Sequence, residues 1–144
     1  MEETPFLEIG ENHHRGIGTA LVFLDENLCE FEKLVKSNGI KSVLYSEKNV
    51  FSPGQRKKIL FEIEEIRKIL KELKDTLKLN EIVNEIDKTI WGHCSGLWEV
   101  LVETESKYLK RYGEIPPGLS DYLDPKIAEI IKNIKHISAV ACQK

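Results

Sequence analysis

Residues 59–77 read ILFEIEEIRKILKELKDTL. Ile59, Ile63, Ile66, Leu70, Leu73 and Leu77 recur at alternating spacings of four and three, with charged residues between them. An α-helix turns about 100° per residue, so these positions form one stripe. The alternation is the seam of a helix packed at a shallow angle against other helices. A helix start lies just ahead of it. Ser52 can accept from the free amides of a first turn, Pro53 suits the first helical position, and Gln55 completes a capping-box pattern. The spacing predicts a helix over 53–78. Glu64 precedes Lys68 by four residues, and Lys68/Glu72 and Lys71/Asp75 add weaker pairs, as on a solvated face.

Working toward the N-terminus, Ile17, Leu21, Leu24, Leu28, Phe31 and Val35 repeat the pattern and predict a helix over 13–37. Asn38-Gly39 is read as its stop, because both residues tolerate a left-handed backbone. Residues 39–51 contain Val43, Leu44, Tyr45, Val50 and Phe51, too apolar for a free loop, and are expected to pack across one end of the helices. Toward the C-terminus, Val83, Ile86, Ile90, Cys94, Leu97, Leu101, Tyr108 and Tyr112 predict one long helix over 81–112, ended by Gly113. Pro116-Pro117-Gly118 turns the chain, with a short helical turn expected from Leu119 to Leu123. Asp124-Pro125 is expected to cap a last helix over 125–141, whose inward face carries Ile127, Ile130, Ile131, Ile134, Ile137 and Ala141. The expected fold is all-α: an antiparallel four-helix bundle with one long packed connection between helices one and two, and no sheet. Residues 12–144 are expected to form a single domain, and 1–11 a tail or arm.

The 144-residue length suits one domain with a real core, and a 41% hydrophobic content is ordinary for a globular chain. A net charge of -3 gives no general attraction to phosphate backbones or anionic lipid, so neither nucleic acid nor membrane is expected as a partner. No apolar run approaches the ~18 residues of a membrane span. Acids stand where a signal peptide carries lysines, so a cytoplasmic location is expected. Cys29, Cys94 and Cys142 are odd in number and widely spaced, which argues for reduced thiols.

Some features fit a plain bundle poorly. Asp87 and Glu105 fall in the apolar sector of the third predicted helix, where a carboxylate is costly without a partner. Ala20-Leu21-Val22-Phe23-Leu24 is apolar all round the first helix, so Val22 and Phe23 need a cover outside the bundle's own core. Gly92 and Gly96, one turn apart opposite the core stripe, suggest a notch where another backbone approaches. Val22, Phe23, Gly92 and Gly96 are therefore the candidate interface. The functional class this favours is a non-enzymatic interaction or assembly protein, acting as a homo-oligomer or with a protein partner.

The candidate chemistry is sparse. His93-Cys94 are neighbours on a helix and point about 100° apart, so they do not share an ion, and no CxxC or HxxxH spacing occurs. No metal site and no cofactor is expected from these patterns. Glu62 and Glu65 form an E-x-x-E, and Asp87 follows in the next helix. This resembles the all-α nucleotide pyrophosphohydrolases of the MazG-like group, which hold magnesium with E-x-x-E and a later E-x-x-D. Asn84 stands where that group has the second Glu. The resemblance implies Glu62, Glu65 and Asp87 as Mg²⁺ ligands. Separately, Glu11-Asn12-His13-His14-Arg15 resembles the phospho-acceptor box of one histidine-kinase class, which implies His13 or His14 as a phosphoryl acceptor. Here Gly16-Ile17-Gly18-Thr19 follows, where that class has polar residues and asparagines.

Overall fold

The computed structural model describes residues 7–143. The part of the expected arm at residues 1–6 lies outside them. The chain is mainly helical and divides into two compact units, residues 1–82 and 83–144.

The first unit is a helical hairpin. Helix α1 runs Glu11–Lys36 and α2 runs Pro53–Leu77. The predicted stripes supply most of the seam: Leu28 (2% exposed), Val35, Ile63 (3% exposed) and Leu77 are buried, whereas Ile17 and Phe31 of the predicted stripe stay exposed. Leu21, Leu24, Ile59, Ile66, Leu70 and Leu73 are half-buried beside them. The start of α2 is the capping box read from the sequence. The Gln55 amide donates to Ser52 Oγ at 3.1 Å, and the Ser52 amide donates to Gln55 Oε1 at 2.9 Å. Between the helices, Arg67 reaches from α2 to Glu32 on α1 at 2.5 Å and to Glu64 at 2.9 Å. The hydrogen bond from Arg67 is the main reason the Glu32 carboxyl is held below its ordinary range. The arm docks at Leu7, whose amide donates to the Thr76 carbonyl at 3.1 Å.

The connection differs from expectation. It contains an antiparallel ladder, β1 (Ile40–Lys41) with β2 (Ser46–Glu47), pairing Ile40 with Glu47 and Lys41 with Ser46. The Ser42 amide closes the turn on the Tyr45 carbonyl at 2.8 Å, and the Tyr45 hydroxyl donates to Glu47 Oε1. The ladder satisfies the backbone locally, so the segment needs no packing partner to order it. Its tip stands in solvent, with Val43 94% and Leu44 98% exposed. The packed connection is therefore corrected to an exposed hairpin. Nor is Gly39 the helix stop. Helix α1 ends at Lys36, Ser37 is already extended, and Gly39 takes φ +102° to enter β1 beneath the Glu47 carbonyl.

The second unit pairs α3 (Ile86–Val102) with α5 (Leu119–Ala141), antiparallel, with Cys94 and Ile127 buried. The continuous helix expected over 81–112 is broken. Thr104 turns its hydroxyl back to the Leu101 carbonyl at 2.6 Å, and Glu105 is extended. A short α4 (Ser106–Leu109) and a 3-10 turn (Lys110–Tyr112) follow. Threonine and serine side chains compete for backbone partners, and here a partner exists across the chain. Asp124 Oδ1 accepts from the Ser106 amide at 2.9 Å, and Oδ2 accepts from its hydroxyl at 2.7 Å. Asp124 therefore does not cap the last helix, which already begins at Leu119 and runs through Pro125. The break also moves Glu105 off the apolar sector. It is half-buried at the start of α4, with Lys107 Nζ at 3.8 Å. Asp87 lies in the exposed first turn of α3.

Candidate functional site

Both units leave apolar side chains uncovered, for a local reason. A helix pair buries only the stripe each helix turns to the other, and apolar residues off that stripe stay in water. On α1, Phe23 is 69% exposed while Val22 is half-buried, so the expected pair reduces to Phe23 at the surface. Asn27 Nδ2 donates to the Phe23 carbonyl at 2.8 Å. The Val43-Leu44 tip adds a second apolar feature, which the sequence pattern could not flag because it reads equally well as a buried segment. In the second unit Val83, Ile86, Trp91 and Val100 are exposed on or just ahead of α3.

Gly92 and Gly96 are exposed on α3, and a Cβ at either would meet nothing within 4 Å. Among the described residues, no close approach requires these glycines. Their face remains open to an approaching backbone, and the two are on the side of α3 away from buried Cys94.

The candidate chemical residues are scattered. Glu62 is exposed and Glu65 pairs with Lys68 at 3.0 Å, both in the first unit, whereas Asp87 belongs to the second. Among the described residues, no three His, Cys, Asp or Glu side chains gather where they could hold a metal ion. His13 is exposed at the start of α1. His14 is half-buried, and its Nε2 lies 3.0 Å from the Lys78 carbonyl, where an N–H donor satisfies the C-terminal end of α2. The two histidines, equivalent in the sequence, thus differ: His14 joins α1 to α2, and His13 keeps a solvent-facing imidazole. Cys29 and Cys142 are exposed and Cys94 is buried; all are free thiols. Among the described residues no helix is long and apolar enough to cross a membrane.

No family model, curated protein or solved structure matches the chain.

Proposed function

We propose that this protein is an assembly subunit that self-associates through the apolar surface its two helical hairpins leave uncovered. One quantity carries the reading. The chain exposes 12233 Å². Two separate compact globules, each of half its mass, would together expose roughly 9,000 Å² by the scaling of area with mass. The excess is roughly 3,000 Å², on the scale an obligate interface buries.

Phe23, Val43 and Leu44 are the anchors we assign to the contact. Burying a side chain of this kind stabilises by roughly 1.5–3 kcal/mol before ordering costs. A two-fold contact uses each patch twice. Gly92 and Gly96 give a second element a place to lie close. Four-helix packing is the simplest closed arrangement in which such hairpins cover one another's apolar faces, and it forms part of the proposal.

Light scattering coupled to size exclusion tests it. The wild type is expected at a multiple of the 16.6 kDa chain mass. Phe23→Glu and Leu44→Glu, separately, are expected to shift the mass toward the single chain while helicity is retained. A wild-type single chain at high micromolar concentration defeats the proposal, as do both variants assembling unchanged.

A further inference from the structure

The second unit carries a groove that includes none of Phe23, Val43 and Leu44, the anchors assigned to self-association. Where α3 and α5 part, a cleft of about 780 Å³ opens between Trp98 and Tyr108 on one side and Ile131 on the other. A smaller cleft of about 340 Å³ continues it, sharing Trp98 and Lys135. Trp98 and Tyr108 are 45% and 40% exposed, so both rings present area to the groove.

Its charge is mainly positive, with Glu105 the carboxylate among its lining residues. Lys132, Lys135 and His136 line the larger cleft, and their spacing of three and four places them along one face of α5. Among the described residues no carboxylate lies within ion-pair distance of Lys132 or Lys135. Lys107 also lines the cleft and is matched by Glu105 at 3.8 Å, while Glu99 borders only the smaller cleft. The larger cleft therefore holds an uncompensated positive pair beside two aromatic rings. Both lysines are exposed, so their ammonium groups are free to turn toward an anion in the cleft.

We propose that this groove binds a small organic anion with an aromatic body. The ring lies against Trp98 and Tyr108, and the carboxylate, sulfonate or phosphate sits beside Lys132 and Lys135. The volume falls in the range of small-molecule sites, roughly 300–1,000 Å³. Offset stacking rewards an aromatic body over an aliphatic one, and an ammonium donor to an anionic oxygen is stronger than a neutral hydrogen bond.

The test uses the full chain and two probes of similar shape, 8-anilinonaphthalene-1-sulfonate and uncharged N-phenyl-1-naphthylamine. Binding is read from probe fluorescence, and from Trp98 quenching in a Trp91→Phe background. The sulfonate is expected to bind with a Kd on the order of micromolar, and the neutral probe at least about tenfold more weakly. Lys132→Glu/Lys135→Glu is expected to weaken the sulfonate by at least about tenfold with circular dichroism unchanged. Phe23→Glu is expected to leave it bound, which separates the groove from the self-association surface. Equal affinity for the two probes overturns the proposal, since apolar surface alone then accounts for binding. So does a charge-reversed double variant that binds the sulfonate as the wild type does.

Discussion

The side-chain nitrogen of Asn49 lies 2.9 Å from the Val35 carbonyl, fourteen residues back along the chain. The same nitrogen donates to the Ser37 carbonyl at 2.8 Å, and Asn49 Oδ1 accepts from the Phe51 amide at 3.1 Å. One carboxamide therefore closes the C-terminal end of α1 and turns the chain toward α2. A helix leaves its last carbonyls without partners, and here a residue beyond the hairpin supplies the donor. Asn49 bridges the two ends of the connection, which holds the hairpin between them without a packed core.

Asn49→Ala is expected to destabilise the protein by about 1–2 kcal/mol, the range for a lost helix-end cap. Asn49→Asp separates the roles of the two side-chain atoms. A carboxylate keeps the acceptor for Phe51 but cannot donate, and it sets negative charge at the negative pole of α1. At neutral pH it is expected to be worse than alanine. The deficit should shrink on acidification toward about pH 4, as the new carboxyl protonates and regains a donor. A denaturant titration in which aspartate equals asparagine would refute the assignment.

Gly39 is the second constraint on the hairpin. An added Cβ would stand 2.5 Å from the Glu47 carbonyl oxygen, at φ +102°. Backbone is the obstacle, so it cannot swing aside as a side chain end does. Gly39→Ala is expected to cost about 2–3 kcal/mol, combining conformational strain with the clash. Gly118→Ala is the control. Gly118 also has positive φ, at +86°, yet a Cβ there meets nothing within 4 Å. It should cost only the conformational part, about 1 kcal/mol. Similar losses from the two variants, measured by chemical denaturation, would contradict the close approach at Glu47.

The core of the first unit gives a ranking. Leu28 is 2% exposed, whereas Leu70, on the same predicted seam, is only half-buried. Leu28→Ala is expected to cost about 3–4 kcal/mol, since both transfer and cavity terms apply in full. Leu70→Ala should cost about 1–2 kcal/mol, because water already reaches part of the side chain and can relax into the gap. Equal costs would mean that Leu70 is covered in solution by something beyond the hairpin itself.

How legible was this structure in its sequence? The four long helices were readable, and so was the Ser52–Gln55 box, because stripe and cap are local patterns written within a few residues of each other. The break at Thr104 was not. A stripe from Val83 to Tyr112 looks continuous on a helical wheel, and what interrupts it is an acceptor at Asp124, eighteen residues beyond Ser106. Asn49 escaped for the same reason, since its carbonyl partners lie far back in the chain. Hydrophobicity alone misplaces Val43 and Leu44, because an apolar hairpin tip and a buried segment have the same composition. The α3–α5 groove was visible only as separate residues. Lys132, Lys135 and His136 share a periodicity on α5, but Trp98 on α3 and Tyr108 on α4 reach them only through tertiary packing. His14 and His13 looked alike, and only the approach of the Lys78 carbonyl tells them apart.

The pairing of Asp124 with Ser106 makes a prediction about pH. The Ser106 hydroxyl, and then its backbone amide, hold the Asp124 carboxyl below its ordinary range. A lowered folded-state pKa means that the ionised form is bound more tightly by the native state. The stabilisation is therefore fully present above the ordinary aspartate value, near pH 4, and is lost as pH falls through the lower folded value. Asp124→Asn retains one acceptor oxygen and loses the charge. Its melting temperature is expected to fall below that of the wild type at about pH 7, and the gap should narrow below about pH 4, where the wild-type carboxyl also becomes neutral. The Ser106 amide offers a local readout, because it should exchange with deuterium faster in the variant once its carboxylate acceptor is gone. A melting gap that stays constant from about pH 7 to about pH 2.5 would show that the carboxylate charge is not linked to folding. Unchanged exchange at Ser106 would show that Asp124 does not hold the start of α4, and the broken third helix would then need another cause.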